Sequence, residues 1–145
     1  MKHILDAPSD PLRVLRSVCT GLEKPPAKAE LWEQLEFLCP DALPHAAEIL
    51  DHKTIIRCVA HDSQREFWTV SGSGRQQHCC IPGWCSCNSY AFEVVSSRNK
   101  LVCKHELAVM VASALSLGHT NVMDDAKWVN EFALHTTLAA LSNKS

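Results

Sequence analysis

Apolar residues recur at helical spacing in three early segments of the chain. After Asp10-Pro11, an N-cap followed by a proline suited to a first helical position, come Leu12, Leu15, Val18 and Leu22. The stretch "KPPAK" (Lys24 to Lys28) breaks that pattern and reads as a short linker. A second helix carries Leu31, Trp32, Leu35, Leu38 and Cys39 on one face and stops at Pro40, and Asp41 is placed to cap a third through Ala46, Ile49 and Leu50. The period then changes. "TIIRCVA" (Thr54 to Ala60) and "REFWTVS" (Arg65 to Ser71) are rich in β-branched and aromatic residues and flank "HDSQ", the pattern of a hairpin. "SGSG" (Ser71 to Gly74) reads as a turn, "RQQHCCI" (Arg75 to Ile81) as a third strand, and "PGW" (Pro82 to Trp84) as the turn that leads out of this meander. Helical spacing returns from Lys104 with Leu107, Met110, Val111, Ala114 and Leu115, and Gly118 reads as the stop. A last helix, starting at Asp124 or Asp125, carries Trp128, Phe132, Leu138 and Leu141, and the final "SNKS" reads as frayed.

The expected fold is therefore α+β: a small antiparallel hairpin or meander flanked by N- and C-terminal helices. Three segments divide it, a helical 1–52, a middle 53–118 and a C-terminal helix in 119–145, within one compact domain. At 46% hydrophobic and 21% charged residues, the 145-residue composition is that of a soluble globular chain. Leu107 to Leu117, the longest apolar candidate, is interrupted by Ser113 and Ser116 and falls short of the ~18–20 residues of a membrane helix. "MKHILDAPSD" has no apolar core of a secretory signal, so an intracellular, reducing setting is expected.

That setting changes how the eight cysteines read, because metal binding is favoured there over disulfides. Cys19, Cys39 and Cys58 lie singly among apolar residues, as small buried hydrophobes do. Cys79, Cys80, Cys85, Cys87 and Cys103 crowd together. Within that crowd, Cys85-x-Cys87 is separated by fifteen residues from Cys103-x-His105. Three thiolates and one imidazole complete a tetrahedral zinc shell with no position left for water, which is the composition of a structural site. The first pair comes from a tight turn and the second from a helix start, whose N–H groups favour a thiolate. The intervening "SYAFEVV" (Ser89 to Val95) reads as a short helix that buries Phe92. Buried thiols beside an ordinary histidine are the alternative. A redox reading lacks a Cys-x-x-Cys motif. Cys79 and Cys80 are weaker ligand candidates, since adjacent residues on a strand point to opposite faces; His78 is weaker still.

The pattern Cys-x-Cys…Cys-x-His, worded "CSCNSYAF" and "LVCKHELAV", resembles the SWIM-type zinc finger over roughly residues 78–115. Asn88 departs from the proline often found there, which alters the turn and not the ligation. The layout of a helical N-terminus, a hairpin running into the finger and a following helix is similar to the small SWIM-domain subunits of Shu-type recombination-mediator complexes, and "ALPHAAEILDHKTI" looks like the segment before their hairpin. The resemblance implies a ββα-like finger holding one structural zinc ion through Cys85, Cys87, Cys103 and His105. It further implies a non-catalytic nuclear protein that pairs with a RecA-like recombinase paralogue. Such a heterodimer supports filaments of the strand-exchange recombinase on single-stranded DNA.

Charge distribution modifies this picture only slightly. Residues 1–52 hold five Lys/Arg against nine Asp/Glu, whereas 53–105 hold seven against three. The net of +4 in the middle makes Arg75, Arg98, Lys100 and Lys104 candidate DNA-phosphate contacts, with Arg57 and Arg65 beside them. A stand-alone zinc-dependent DNA-binding or transcription module is the second reading, and an ordinary solvated basic face explains the same charges. Trp68 and Trp84 are candidate base-stacking residues, with core packing as the plainer explanation. Trp32, Trp128 and Phe132 pose a similar choice between a partner surface and internal packing. His45, His52, His61, His119 and His135 share no ligand spacing, and "SGSGR" lacks the ending of a phosphate-binding P-loop, so any ATPase activity is expected of a partner.

Overall fold

The segments rich in β-branched and aromatic residues pair as expected. In a computed structural model, which describes residues 11–21, 28–72, 74 and 76–142, β1 (Ile55–Ala60), β2 (Glu66–Ser71) and β3 (Gln77–Ile81) form an antiparallel meander. A two-residue strand, β4 (Trp84–Cys85), continues it from β3. The sheet gains a fifth strand that hydrophobic patterning did not indicate. β5 (His119–Met123) lies parallel to β1 and gives the order β4-β3-β2-β1-β5. Segment 119–145 thus contributes a strand as well as its helix. Four of the five β5 residues are exposed and only Met123 is buried, so its sequence has no apolar alternation to read.

Helices α1 (Pro11–Gly21), α2 (Lys28–Leu38) and α3 (Ala42–His52) precede the sheet, α4 (Lys104–Leu115) follows β4, and α5 (Asp125–Ser142) ends the described chain. The expectations for Asp10, "KPPAK" up to Ala27, the "MKHILDAPSD" stretch, Arg75 and residues 143–145 lie outside the described residues. Adjacent strand residues part to the two faces of the sheet, as the pleat requires. Trp68 and Cys80 join a core with Leu15, Leu35, Ile49 and Leu107. Their neighbours Phe67 and Cys79 join a second core with Cys58, Met123 and Trp128. The first lies under α1–α4 and the second under α5.

Helix α4 is the centre of the larger core. Eight of its twelve residues are buried, and it packs on α1, α3 and β3. Its alanines (Ala108, Ala112 and Ala114) let these neighbours approach closely. On the other face, Trp128 stacks on Phe132, lies 5.5 Å from the Phe67 ring and donates its indole N–H to the Cys58 carbonyl at 3.1 Å. Trp68 and Trp128 are thus core residues, and Trp32 packs half-buried against the first core. Cys19, Cys39 and Cys58 are buried, and burial pushes the Cys19 and Cys39 thiols up to about 11, where they stay protonated. Among the described residues, no helix is long and apolar enough to cross a membrane.

Two helix ends differ from expectation. Asp41 precedes α3 but makes no side-chain cap, because its backbone is already helical (φ −80°, ψ −36°). Helix α4 ends at Ser116, which adopts the left-handed conformation at φ 55°, and not at Gly118. Gly118 has another duty. At φ +87°, its missing Cβ would lie 2.8 Å from the Ile55 carbonyl oxygen, so only glycine lets the chain pass β1 and enter β5. Asp124 does cap α5, accepting from Lys127 N–H at 2.9 Å.

Replacing Gly118 should therefore detach the β5 edge. Gly118→Ala is expected to cost about 2 kcal/mol and to lower the melting temperature by roughly 6 °C. Thermal unfolding followed by circular dichroism checks this, and an unchanged transition contradicts the close approach.

Candidate metal centre

The site is assembled from three chain segments that meet between the sheet and α4. Cys85 belongs to β4, Cys87 lies two residues on, and Cys103 and His105 open α4. All four are buried, and their ligand atoms lie within 4.8 Å of one another. The spacing thus does bring both pairs together. Cys79 turns to the opposite face and Cys80 stays close by without joining the set.

Local backbone chemistry explains the placement of each sulfur. Cys103 is the N-cap of α4, with an extended backbone (φ −85°, ψ 169°), and its Sγ accepts from Glu106 N–H at 3.3 Å. The thiol occupies the role that a serine or aspartate oxygen usually has. Cys87 repeats this, its Sγ accepting from Tyr90 N–H at 3.3 Å. The x residue of the first pair, Ser86, locks the turn to β3. It donates N–H to the Cys79 carbonyl at 2.9 Å, and its Oγ accepts from Cys79 N–H at 2.8 Å.

The insert between the pairs is helical but wound differently from the expected turn. Tyr90–Ser96 forms a π-helix, and its wider winding moves the faces. Phe92 is consequently 72% exposed, and the buried aromatic is Tyr90. Tyr90 donates its hydroxyl to the Gly83 carbonyl while Gly83 N–H donates to Glu106 Oε1 at 3.0 Å. Both backbone polar groups of Gly83 are thus held, one from each flank of the site. Gly83, at φ 84°, gives the "PGW" turn the conformation this requires.

The donor set fits a metal ion. His105 Nδ1 is buried and has no hydrogen-bond partner, a cost that coordination would remove. The thiols compete for charge. Hydrogen bonds from Cys103 and Cys85 drive Cys87 far below the usual thiol range, while hydrogen bonding to Cys85 and Cys87, together with burial, drives Cys103 far above it. Thiols this close and this buried do not all ionise without a cation, so protons remain among them. A divalent cation would displace those protons and let all three ligate.

Cys80 and His78, the weaker ligand candidates, stand beside the site. The His78 ring lies on the His105 ring at 4.1 Å between centroids, and Cys80 Sγ lies 3.5 Å from Cys85 Sγ. The pairing of β3 with β4 sets Cys80 opposite Cys85, and His78 lies on the same strand two residues before Cys80. The basic candidates are more dispersed. Arg98 (at φ 55°) and Lys104 are exposed, Lys100 Nζ pairs with Glu93 Oε2 at 2.9 Å, and Arg57 pairs with Glu66. Trp68 is buried, so it offers no face for a base, and Trp84 is half-buried against both cores.

A closed, buried Cys3His set joining a sheet edge to a helix start defines a zinc-finger type of module. No protein-family model and no solved structure matches the chain. Curated proteins do. It is 30% identical over 99 residues to the zinc finger SWIM domain-containing protein 7 homolog of Dictyostelium discoideum, covering 67% of this chain and 64% of that protein. The human protein of that name is 29% identical over 83 residues (56% and 59%), and the Danio rerio one 30% over 93 residues (63% and 66%). The matched segment thus spans less than two thirds of the length of each of these relatives. With the ligand pattern, these matches place the chain among the SWIM-type zinc-finger proteins.

The clamp on Gly83 gives a test that does not require metal. Tyr90→Phe is expected to lower stability by about 1 kcal/mol, the usual value of one hydrogen bond. Urea unfolding measures it, and a shift indistinguishable from zero refutes the clamp.

Proposed function

We propose that the chain is a non-catalytic subunit of a Shu-type complex, holding one structural zinc ion through Cys85, Cys87, Cys103 and His105. The observation that carries this is the closure of the site. Three thiols and an imidazole fill a tetrahedral shell, all four are buried, and no position faces solvent for a substrate. When bound, zinc supplies a fixed charge and a cross-link. The protein's part is to hold β4 and the start of α4 in register, and so to place the surfaces on either side.

Those surfaces suit assembly. Phe92 and Val95 on the insert, Phe37 on α2, and Leu134 and Leu138 on α5 are exposed apolar side chains. In this reading the chain pairs with a RecA-like recombinase paralogue in the nucleus, as the resemblance of its ligand pattern and layout to small SWIM-domain subunits implies. The pair then supports assembly of the strand-exchange recombinase on single-stranded DNA in homologous recombination repair. Among the described residues, the exposed candidates for direct phosphate contact are Arg65, Arg98 and Lys104, while Lys100 is engaged by Glu93. These few dispersed cations make a weak footprint for a stand-alone DNA-binding module, so in this reading DNA is reached through the complex.

Two measurements test this. Chelation of the metal is expected to abolish ordered structure across at least residues 80–115, since binding energy in such modules is folding energy; circular dichroism and melting temperature unchanged by chelation would contradict it. Co-expressed with a RecA-like paralogue, Cys103→Ser and His105→Ala are expected to lose copurification, as α4 is no longer positioned. Normal copurification of both variants shows that the finger does not organise the interface.

A further inference from the structure

A Cys3His shell around a divalent cation carries a net charge of −1, and here it lies among side chains that are all but excluded from water. Each thiolate then needs a hydrogen-bond donor. Two have one from the backbone: Tyr90 N–H to Cys87 and Glu106 N–H to Cys103, both at 3.3 Å and both from the residue three positions on. That arrangement is available because these cysteines open helical segments, whose first N–H groups lack partners.

Cys85 has no such supply. It sits in β4, and the next amide, Ser86 N–H, is committed to the Cys79 carbonyl. Its cross-strand partner in the β3–β4 register is Cys80, so the two side chains project from the same face. The Cys80 sulfur is fully buried and 3.5 Å from the Cys85 sulfur, with its S–H as the donor.

We propose that Cys80 is a positioning residue for the metal centre, an outer S–H donor that gives Cys85 what backbone amides give Cys87 and Cys103. The inference rests on the zinc reading above and extends it by one residue. It also explains the adjacent pair Cys79-Cys80: Cys79 fills the opposite core, whereas Cys80 serves the site. An S–H group is a weaker donor than an amide, so Cys85 remains the most electron-rich of the three thiolates.

The test uses the full chain loaded with cobalt(II), whose sulfur-to-metal charge-transfer absorption reports on the thiolates. Cys80→Ala removes the donor, Cys80→Ser keeps one, and Cys79→Ala makes an equal truncation on the other face. Cys80→Ala is expected to bind cobalt with unchanged stoichiometry and band intensity, to shift the band to lower energy and to lose metal to a chelator about 10-fold more readily. Cys80→Ser is expected to restore the band position, and Cys79→Ala to leave it unmoved. Should Cys80→Ala fail to fold, Cys80→Val fills the space without a donor and carries the same expectation. A band that does not move in the donor-free variant overturns the proposal, leaving Cys80 a core residue. Loss of one thiolate's share of intensity overturns it differently, by making Cys80 a ligand. Failure of the unmutated chain to bind cobalt brings down the metal reading itself, and is distinguishable because it precedes any comparison of variants.

Discussion

The convergence of Cys85, Cys87, Cys103 and His105 is the constraint on which the rest of this structure depends. Four ligand atoms within 4.8 Å of one another, buried and competing for one negative charge, are unfavourable neighbours unless something compensates them. Their position makes the compensation structural. β4 has two residues and little ladder of its own, and α4 is the helix against which α1, α3 and β3 pack. Whatever joins the end of β4 to the start of α4 therefore fixes the relation between the sheet and the larger core.

Residues around this junction each serve two purposes. Cys103 is both an N-cap and a member of the ligand set, and Cys87 accepts from Tyr90 N–H in the same fashion. Glu106 lends its amide to Cys103 and its carboxylate to Gly83. Its burial and exclusion from water raise its carboxyl to about 6. Tyr90 holds the carbonyl of Gly83. Such sharing couples the groups, because removing one leaves a buried polar partner unsatisfied at a cost of about 1–3 kcal/mol.

The ligand set was legible in the sequence because its elements are local: each pair spans three residues, and each lies at a turn or a helix start that the flanking pattern marks. The meander, and the helices with apolar faces, were legible for the same reason. What was not legible depended on pairing or winding. β5 is a polar edge strand whose only apolar anchor is Met123, and its place beside β1 is set by tertiary packing. Phe92 sits at a position that an α-turn would bury, but the π-helix rotates it outward and turns Tyr90 in. Cys80 and His78 reach the site only through the β3–β4 register.

One residue type thus has two chemistries in this chain, and position decides between them. Cys19 and Cys39 sit among apolar side chains without amides to receive a negative charge, and burial raises their thiols to about 11. Cys87 and Cys103 are no more exposed, yet each faces an N–H group that the backbone has not otherwise used. Burial alone makes a cysteine inert; burial beside a hydrogen-bond donor, an amide for Cys87 and Cys103, suits it to ligation. The same logic separates the inner and outer faces of the finger. The ligands and their donors turn inward, so the fifteen-residue insert is left to present Phe92, Val95 and Arg98 to solvent. A metal ion held by these four residues would cross-link β4 to the start of α4, and so give that exposed surface a fixed orientation relative to α4.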